Sequence, residues 1–128
     1  MFIIYIMTYL KEILVKDYFD IHNHYEKIYG KDKTIIMMQV GSFHECYCTD
    51  TEGQNLIKIS QQLDIICTKK NSKESITHTN PRMIGFPTSV KDSFIEKLCN
   101  LNLTVVLIEQ TSEPPKPKRE ITGIFSPA

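Results

Sequence analysis

Val40-Gly41-Ser42-Phe43-His44-Glu45-Cys46-Tyr47 is the stretch on which the reading of this chain turns. It closes an apolar run, Ile35 to Val40, that reads as a buried strand. Gly41 interrupts the run where a strand needs a turn, a bulge or a close backbone approach. Extended structure resumes at Phe43. Side chains alternate across a strand, so Phe43, Glu45 and Tyr47 share one face, and Ser42, His44 and Cys46 the other. A large aromatic and a carboxylate thus point the same way just beyond a glycine. By residue type alone, Phe43 reads as core.

Upstream, Val15, Tyr18, Phe19, His22, Tyr25 and Tyr29 recur at three- and four-residue steps, an amphipathic helix ended by Gly30. Downstream, Thr51-Glu52-Gly53-Gln54 has the form of a capping box, and Leu56, Ile59 and Leu63 line one face of the helix it would start. Leu63 to Thr68 reads as a returning strand, and Lys69 to Asn80 as a polar loop. Arg82 to Phe86 is a short strand ended by Pro87. Thr88 or Ser89 is expected to cap a helix with Val90, Phe94, Leu98 and Leu101 inward. Leu103 to Ile108 reads as a central strand and Glu120 to Phe125 as the last one. Between them, Glu113 to Arg119 holds three prolines and is an exposed connection. Helices alternating with strands predict an α/β fold, a mixed β-sheet flanked by helices.

The 128 residues fit one domain, and a 41% hydrophobic content suffices for its core. Formal net charge is zero, so composition does not announce a nucleic-acid binder and only a local basic face could serve as one. Cys46, Cys48, Cys67 and Cys99 form no Cys-x-x-Cys pair, which points to a reducing, intracellular compartment, cytoplasmic or nuclear. Their spacings with His22, His24, His44 and His78 match no standard zinc site. Asp17, Asp20 and His24 read as a solvent face rather than a metal site. The apolar start, Met1 to Met7, is too short to span a membrane and lacks a basic lead and a cleavage site. It reads as a first strand or a docked helix, and methionines at 1 and 7 leave two candidate starts.

Gly41-Ser42-Phe43-His44-Glu45 resembles the Gly-Asp-Phe-Tyr-Glu signature of the mismatch-recognition domain of the MutS family. Further stretches follow in the family's order. Gln62-Leu63-Asp64-Ile65 with Thr68-Lys69-Lys70 is similar to Leu-Leu-Asp-Ile…Thr-Lys-Arg, and Met83-Ile84-Gly85-Phe86-Pro87 to Met-Ala-Gly-Ile-Pro. Val105 to Glu113, with Glu109-Gln110, resembles the strand ending Cys-Glu-Gln. Ile121 to Ala128 resembles the Arg-Ile-Val-Thr-Pro-Gly exit. The resemblance implies an N-terminal extension over residues 1–17 and a MutS domain I over 18–128, as a fragment of a longer homologue.

It further implies that Phe43 enters the minor groove and stacks beside a mispaired base, while Glu45 hydrogen-bonds that base. Ser42, Lys69, Lys70, Arg82 and Met83 would contact DNA. The fragment would be a DNA-binding domain with no cofactor of its own and no membrane partner. ATP and Mg would belong to the parent ATPase, because no Gly-x-x-x-x-Gly-Lys-Ser/Thr loop occurs here. The other partners implied are mismatched double-stranded DNA, the remaining MutS domains and a second copy of the full-length protein. Two residues depart from the family pattern. Ser42 replaces the usual Asp, and His44 replaces the usual aromatic; His44 is expected to pack inside, or, protonated, to meet a phosphate. Two other readings predict different things. A nuclease-like domain predicts a carboxylate cluster with a lysine at one sheet edge, and a protein-interaction module predicts a buried Phe43.

Overall fold

The computed structural model describes residues 2–4, 13–69 and 71–127. Among these residues seven strands form one sheet: β1 (Phe2–Ile4), β2 (Thr34–Val40), β3 (Phe43–Cys48), β4 (Thr68–Lys69), β5 (Arg82–Pro87), β6 (Thr104–Gln110) and β7 (Arg119–Ser126). Their order is β1-β7-β6-β2-β3-β5-β4. β2 and β6 run parallel, and every other pair is antiparallel, so the sheet is mixed as expected. The helices are α1 (Tyr18–Tyr29), α2 (Leu56–Leu63) and α3 (Lys91–Asn100).

The middles of the two central strands, Ile35–Met38 and Val105–Ile108, are apolar because both of their faces are covered. Ile36 and Met38 of β2 pack with Val106 and Ile108 of β6 and with Tyr18 and Phe19 of α1. Ile35 and Met37 pack with Val105 and Leu107, with Leu56 and Ile59 of α2, and with Ile95 and Leu98 of α3. One helix therefore covers one face and two helices cover the other. The α1 layer is pinned by the buried Tyr18 hydroxyl, which donates to the Ile36 carbonyl at 2.9 Å. Gly30 ends α1, and the Thr34 hydroxyl donates to its carbonyl.

Several local expectations are corrected. α2 is capped by Asn55, whose Oδ1 accepts from Lys58 N at 3.2 Å, rather than by Thr51. The Thr49 hydroxyl instead gathers the free N–H groups of Thr51 and Glu52 into a turn, and Gln54 donates to the Lys31 carbonyl. Leu63 to Thr68 is not a strand. Asp64 takes the left-handed conformation that ends α2, Ile66 is exposed, and only Thr68–Lys69 pairs with β5. Neither Thr88 nor Ser89 caps α3, since Thr88–Val90 form a 3-10 turn, and Val90 is exposed rather than inward. At the start, Phe2–Ile4 form a strand against β7; the rest of the Met1 to Met7 stretch lies outside the described residues.

Candidate functional site

β2 and β3 are joined by two residues, Gly41 and Ser42, with Val40 paired to Phe43. Gly41 has φ +63° and Ser42 does not share that sign, the pattern of a type II′ turn whose twist suits a hairpin. Side chains at the margins of this turn hold it in place. Gln39 Nε2 donates to the Gly41 carbonyl at 3.0 Å, and Gln39 Oε1 accepts from Gln110 N at 2.8 Å. Arg119 Nε donates to the Gln39 carbonyl at 2.9 Å. The Gln110 amide oxygen, turned toward its two donors, accepts from Gly41 N and from Arg119 Nη2 at 3.1 Å each. From the β5 side, Thr88 N donates to the Ser42 carbonyl at 2.8 Å.

Phe43 leaves this braced turn 46% exposed. Alternation along β3 is as predicted. His44, Cys46 and Cys48 are buried toward α2 and α3, while Glu45 and Tyr47 lie on the Phe43 face. The Tyr47 hydroxyl donates to Glu45 Oε1 at 2.5 Å. Burial, then the bond to Glu45 and its charge, raise the Tyr47 pKa, so Tyr47 stays a neutral donor. Among the described residues no other hydrogen-bond donor reaches Glu45. The cross-strand partners extend the face: Phe43 pairs with Pro87, Glu45 with Gly85 and Tyr47 with Met83.

His44 is fully buried, and its Nδ1 lies 3.1 Å from the Thr88 hydroxyl. Burial lowers its pKa, so it is a neutral core residue; the alternative in which it meets a phosphate is excluded by its burial. Beside it, Glu109 accepts from Lys91 Nζ and from the Thr122 hydroxyl, both at 2.6 Å. Burial alone would raise the Glu109 pKa, but these two donors and the Lys91 charge outweigh it and lower the pKa.

The remaining predicted contacts lie elsewhere. Ser42 is exposed at the turn, and half-buried Met83 is on the Phe43 face. Arg82 pairs with Cys48 and Lys69 pairs with Arg82, which puts both on the opposite face and at the other end of β3. Phe43 and Cys48 are five steps apart, about 17 Å along a strand. Both cations also have protein partners. Arg82 Nη1 lies 2.5 Å from Asp50 Oδ1, and Lys69 Nζ donates to the Glu74 carbonyl at 2.8 Å. Lys70 lies outside the described residues.

The family model described as MutS domain I matches residues 14–128. The chain belongs to the MutS family. A MutS homologue of Acanthamoeba polyphaga mimivirus, described as a DNA mismatch repair protein, is 32% identical over 120 residues, covering 91% of this chain and 11% of its own length. The DNA mismatch repair protein MutS of Thermus thermophilus is 29% identical over 98 residues, 73% of this chain and 11% of that one. The corresponding protein of Acholeplasma laidlawii is 30% identical over 95 residues, 73% of this chain and 10% of its own. The chain thus spans about a tenth of the length of the curated relatives it matches.

In this MutS domain I the residues that position the Phe43 turn were not singled out from sequence. Gln39 and Arg119 carry no signal of their own in the sequence, and Gln110 stands out only as part of the Glu109-Gln110 motif. Their contacts join positions 71 and 80 residues apart, and become visible only once β6 and β7 are placed beside β2. Among the described residues no three His, Cys, Asp or Glu side chains gather to hold a metal. No helix among them is long and apolar enough to cross a membrane. The thiols of Cys46, Cys48 and Cys99 are buried, and burial pushes their pKa values up, so they are protonated packing residues.

Proposed function

We propose that this MutS domain I reads mispaired duplex DNA from the minor groove, with Phe43 as the wedge. The observation that carries the reading is a large aromatic residue held half in solvent at a braced hairpin, beside a carboxylate with one oxygen unengaged among the described residues. An apolar wedge costs about a few kcal/mol of unstacking per step, offset by the contact a bent duplex allows. A mispair is already poorly stacked, so the cost is lowest there, and recognition is a readout of deformability. The exposure of Phe43 opposes the protein-interaction reading, which requires that ring buried. The nuclease-like reading lacks its carboxylate cluster among the described residues.

Glu45 binds the base in its protonated form. Phosphate charge favours the neutral carboxyl, and with Oε1 accepting from Tyr47, Oε2 carries the proton and donates to a base acceptor. On paired DNA, lacking that bond, Glu45 stays charged and repels. Ser42 and Met83 flank the wedge. Lys69 and Arg82 add phosphate contacts at a distance, since about 17 Å along β3 corresponds to roughly five nucleotide steps, and Lys70 adds another. The domain acts as the DNA-binding module of a mismatch-repair ATPase inside the cell, together with the remaining MutS domains and a second copy of the protein. ATP and magnesium are held outside these residues.

The test is titration of the full-length protein with matched and mismatched duplexes, for wild type, Phe43→Ala and Glu45→Gln, at acid and alkaline pH. Phe43→Ala is expected to abolish the mismatch preference, and Glu45→Gln to flatten its pH dependence. A preference that survives Phe43→Ala refutes the wedge.

A further inference from the structure

The face that carries Phe43 and Glu45 has one position without a side chain. Gly85 is paired directly with Glu45 and is exposed. Glycine weakens a strand interior, and in a strand it often marks close approach of a ligand or of another backbone. Backbone geometry does not require it here, because the positive-φ glycines are Gly30, Gly41 and Gly53. Packing does not require it either. A Cβ at Gly85 would rest 3.6 Å from the His44 carbonyl oxygen, 3.7 Å from Glu45 Cγ and 3.8 Å from Phe43 Cδ2, all ordinary contacts. The fold therefore leaves glycine unexplained at this position.

The neighbours of that point supply an explanation. The Phe43 ring and the Glu45 side chain both lean toward it from across the strand pair. β4 pairs only with Arg82 and Met83, so from Ile84 onward β5 is the margin of the described sheet and the space over Gly85 opens sideways. We propose that Gly85 is the floor of the base-binding site, where the mispaired nucleotide lies against bare backbone between the Phe43 ring and the Glu45 carboxyl. This rests on the wedge reading and adds the position at which the nucleotide meets the protein. A side chain at 85 raises the floor by about one bond length of roughly 1.5 Å, and a branched one also presses on both flanking groups.

The experiment measures melting temperature and the mismatch-to-match affinity ratio of the full-length protein, for wild type, Gly85→Ala, Gly85→Val and Phe43→Ala. Valine suits a strand, so Gly85→Val is expected to melt at or above wild type. Its affinity ratio is expected to fall by about tenfold or more, the scale of a lost base contact, with Gly85→Ala between it and wild type. A wild-type ratio in Gly85→Val, with Phe43→Ala having lost its preference, overturns the role of Gly85 and leaves the wedge standing. A wild-type ratio in Phe43→Ala overturns both. Should Gly85→Val melt early, Gly85→Ala decides: a reduced ratio supports the floor and an unchanged one refutes it.

Discussion

Phe43 and Phe86 allow one comparison that separates a site residue from a core residue within the same pair of strands, β3 and β5. Phe43 is 46% exposed, while Phe86, paired with His44 on the opposite face, is 2% exposed and stacks on Phe94 at 4.3 Å between centroids. Fully burying a Phe side chain is worth about 1.5–3 kcal/mol, so truncating one that is half in solvent should cost roughly 1–1.5 kcal/mol. Phe86→Ala loses the transfer term and leaves a cavity against α3, for which about 3–5 kcal/mol is usual. For a chain of this length, 1 kcal/mol shifts the melting temperature by about 4 °C. Phe43→Ala should therefore melt about 4–6 °C below wild type and Phe86→Ala more than about 10 °C below. Thermal and denaturant unfolding of residues 1–128 decides the matter. A loss in Phe43→Ala equal to that in Phe86→Ala would mean that the Phe43 ring is core and that its half-exposure has been misread as availability.

The other predictions concern the support of the site. Burial outweighs the favourable Glu26 partner at His22 and acts directly on His44, lowering both pKa values from 6.5. The unfolded chain therefore binds protons that the folded one refuses, and stability, full above about pH 6.5, falls below it by up to about 1.4 kcal/mol per pH unit for each imidazole; His44→Phe should remove its share, and an unchanged acid limb in denaturant melts would refute this. Gln110→Ala removes an acceptor from Gly41 N and Arg119; it should cost about 1–2 kcal/mol and speed hydrogen exchange at the Gly41 amide, and native exchange there would show that the turn holds without it. Asp50→Asn releases Arg82 from its ion pair; if Arg82 meets phosphate, matched-duplex affinity should rise, and Arg82→Ala should lower the log–log salt slope by about one unit, while no change in either makes Arg82 a local partner of Asp50.

The hairpin was legible because its signal is local. An apolar run, a glycine and an alternating segment specify strand, turn and strand, and the period of two assigns Phe43 and His44 to opposite faces whatever surrounds them. The start of α2 was misplaced for an equally local reason. Thr51-Glu52-Gly53-Gln54 has the form of a capping box, but Thr49 engages the Thr51 and Glu52 amides in a turn and the helix starts after Asn55. Leu63 to Thr68 alternates as a strand would, with Leu63, Ile65 and Cys67 on the core and Ile66 in solvent, but left-handed Asp64 breaks it and only Thr68–Lys69 finds a partner strand. Lys69 and Arg82 join Phe43 as DNA contacts through the family resemblance. Strand register, which no single segment reveals, puts them at the far end and on the other face.

Ser42 and His44, the two departures from the family pattern, differ in what they can change. Both positions are clasped by Thr88, whose N–H donates to the Ser42 carbonyl and whose hydroxyl meets His44 Nδ1. The Ser42 anchor is backbone, so the turn is fixed whichever side chain stands at 42, and replacing an acid by serine there alters the charge beside Phe43 without moving Phe43. The His44 anchor is side chain, and the ring lies in the core with Nε2 unpartnered among the described residues. An unsatisfied buried polar atom costs about 1–3 kcal/mol. A carbocyclic aromatic would avoid that cost, so histidine at 44 is borne by the fold rather than by the surface offered to DNA. A difference in substrate preference between this domain and its relatives should therefore follow the residue at 42 and not the residue at 44.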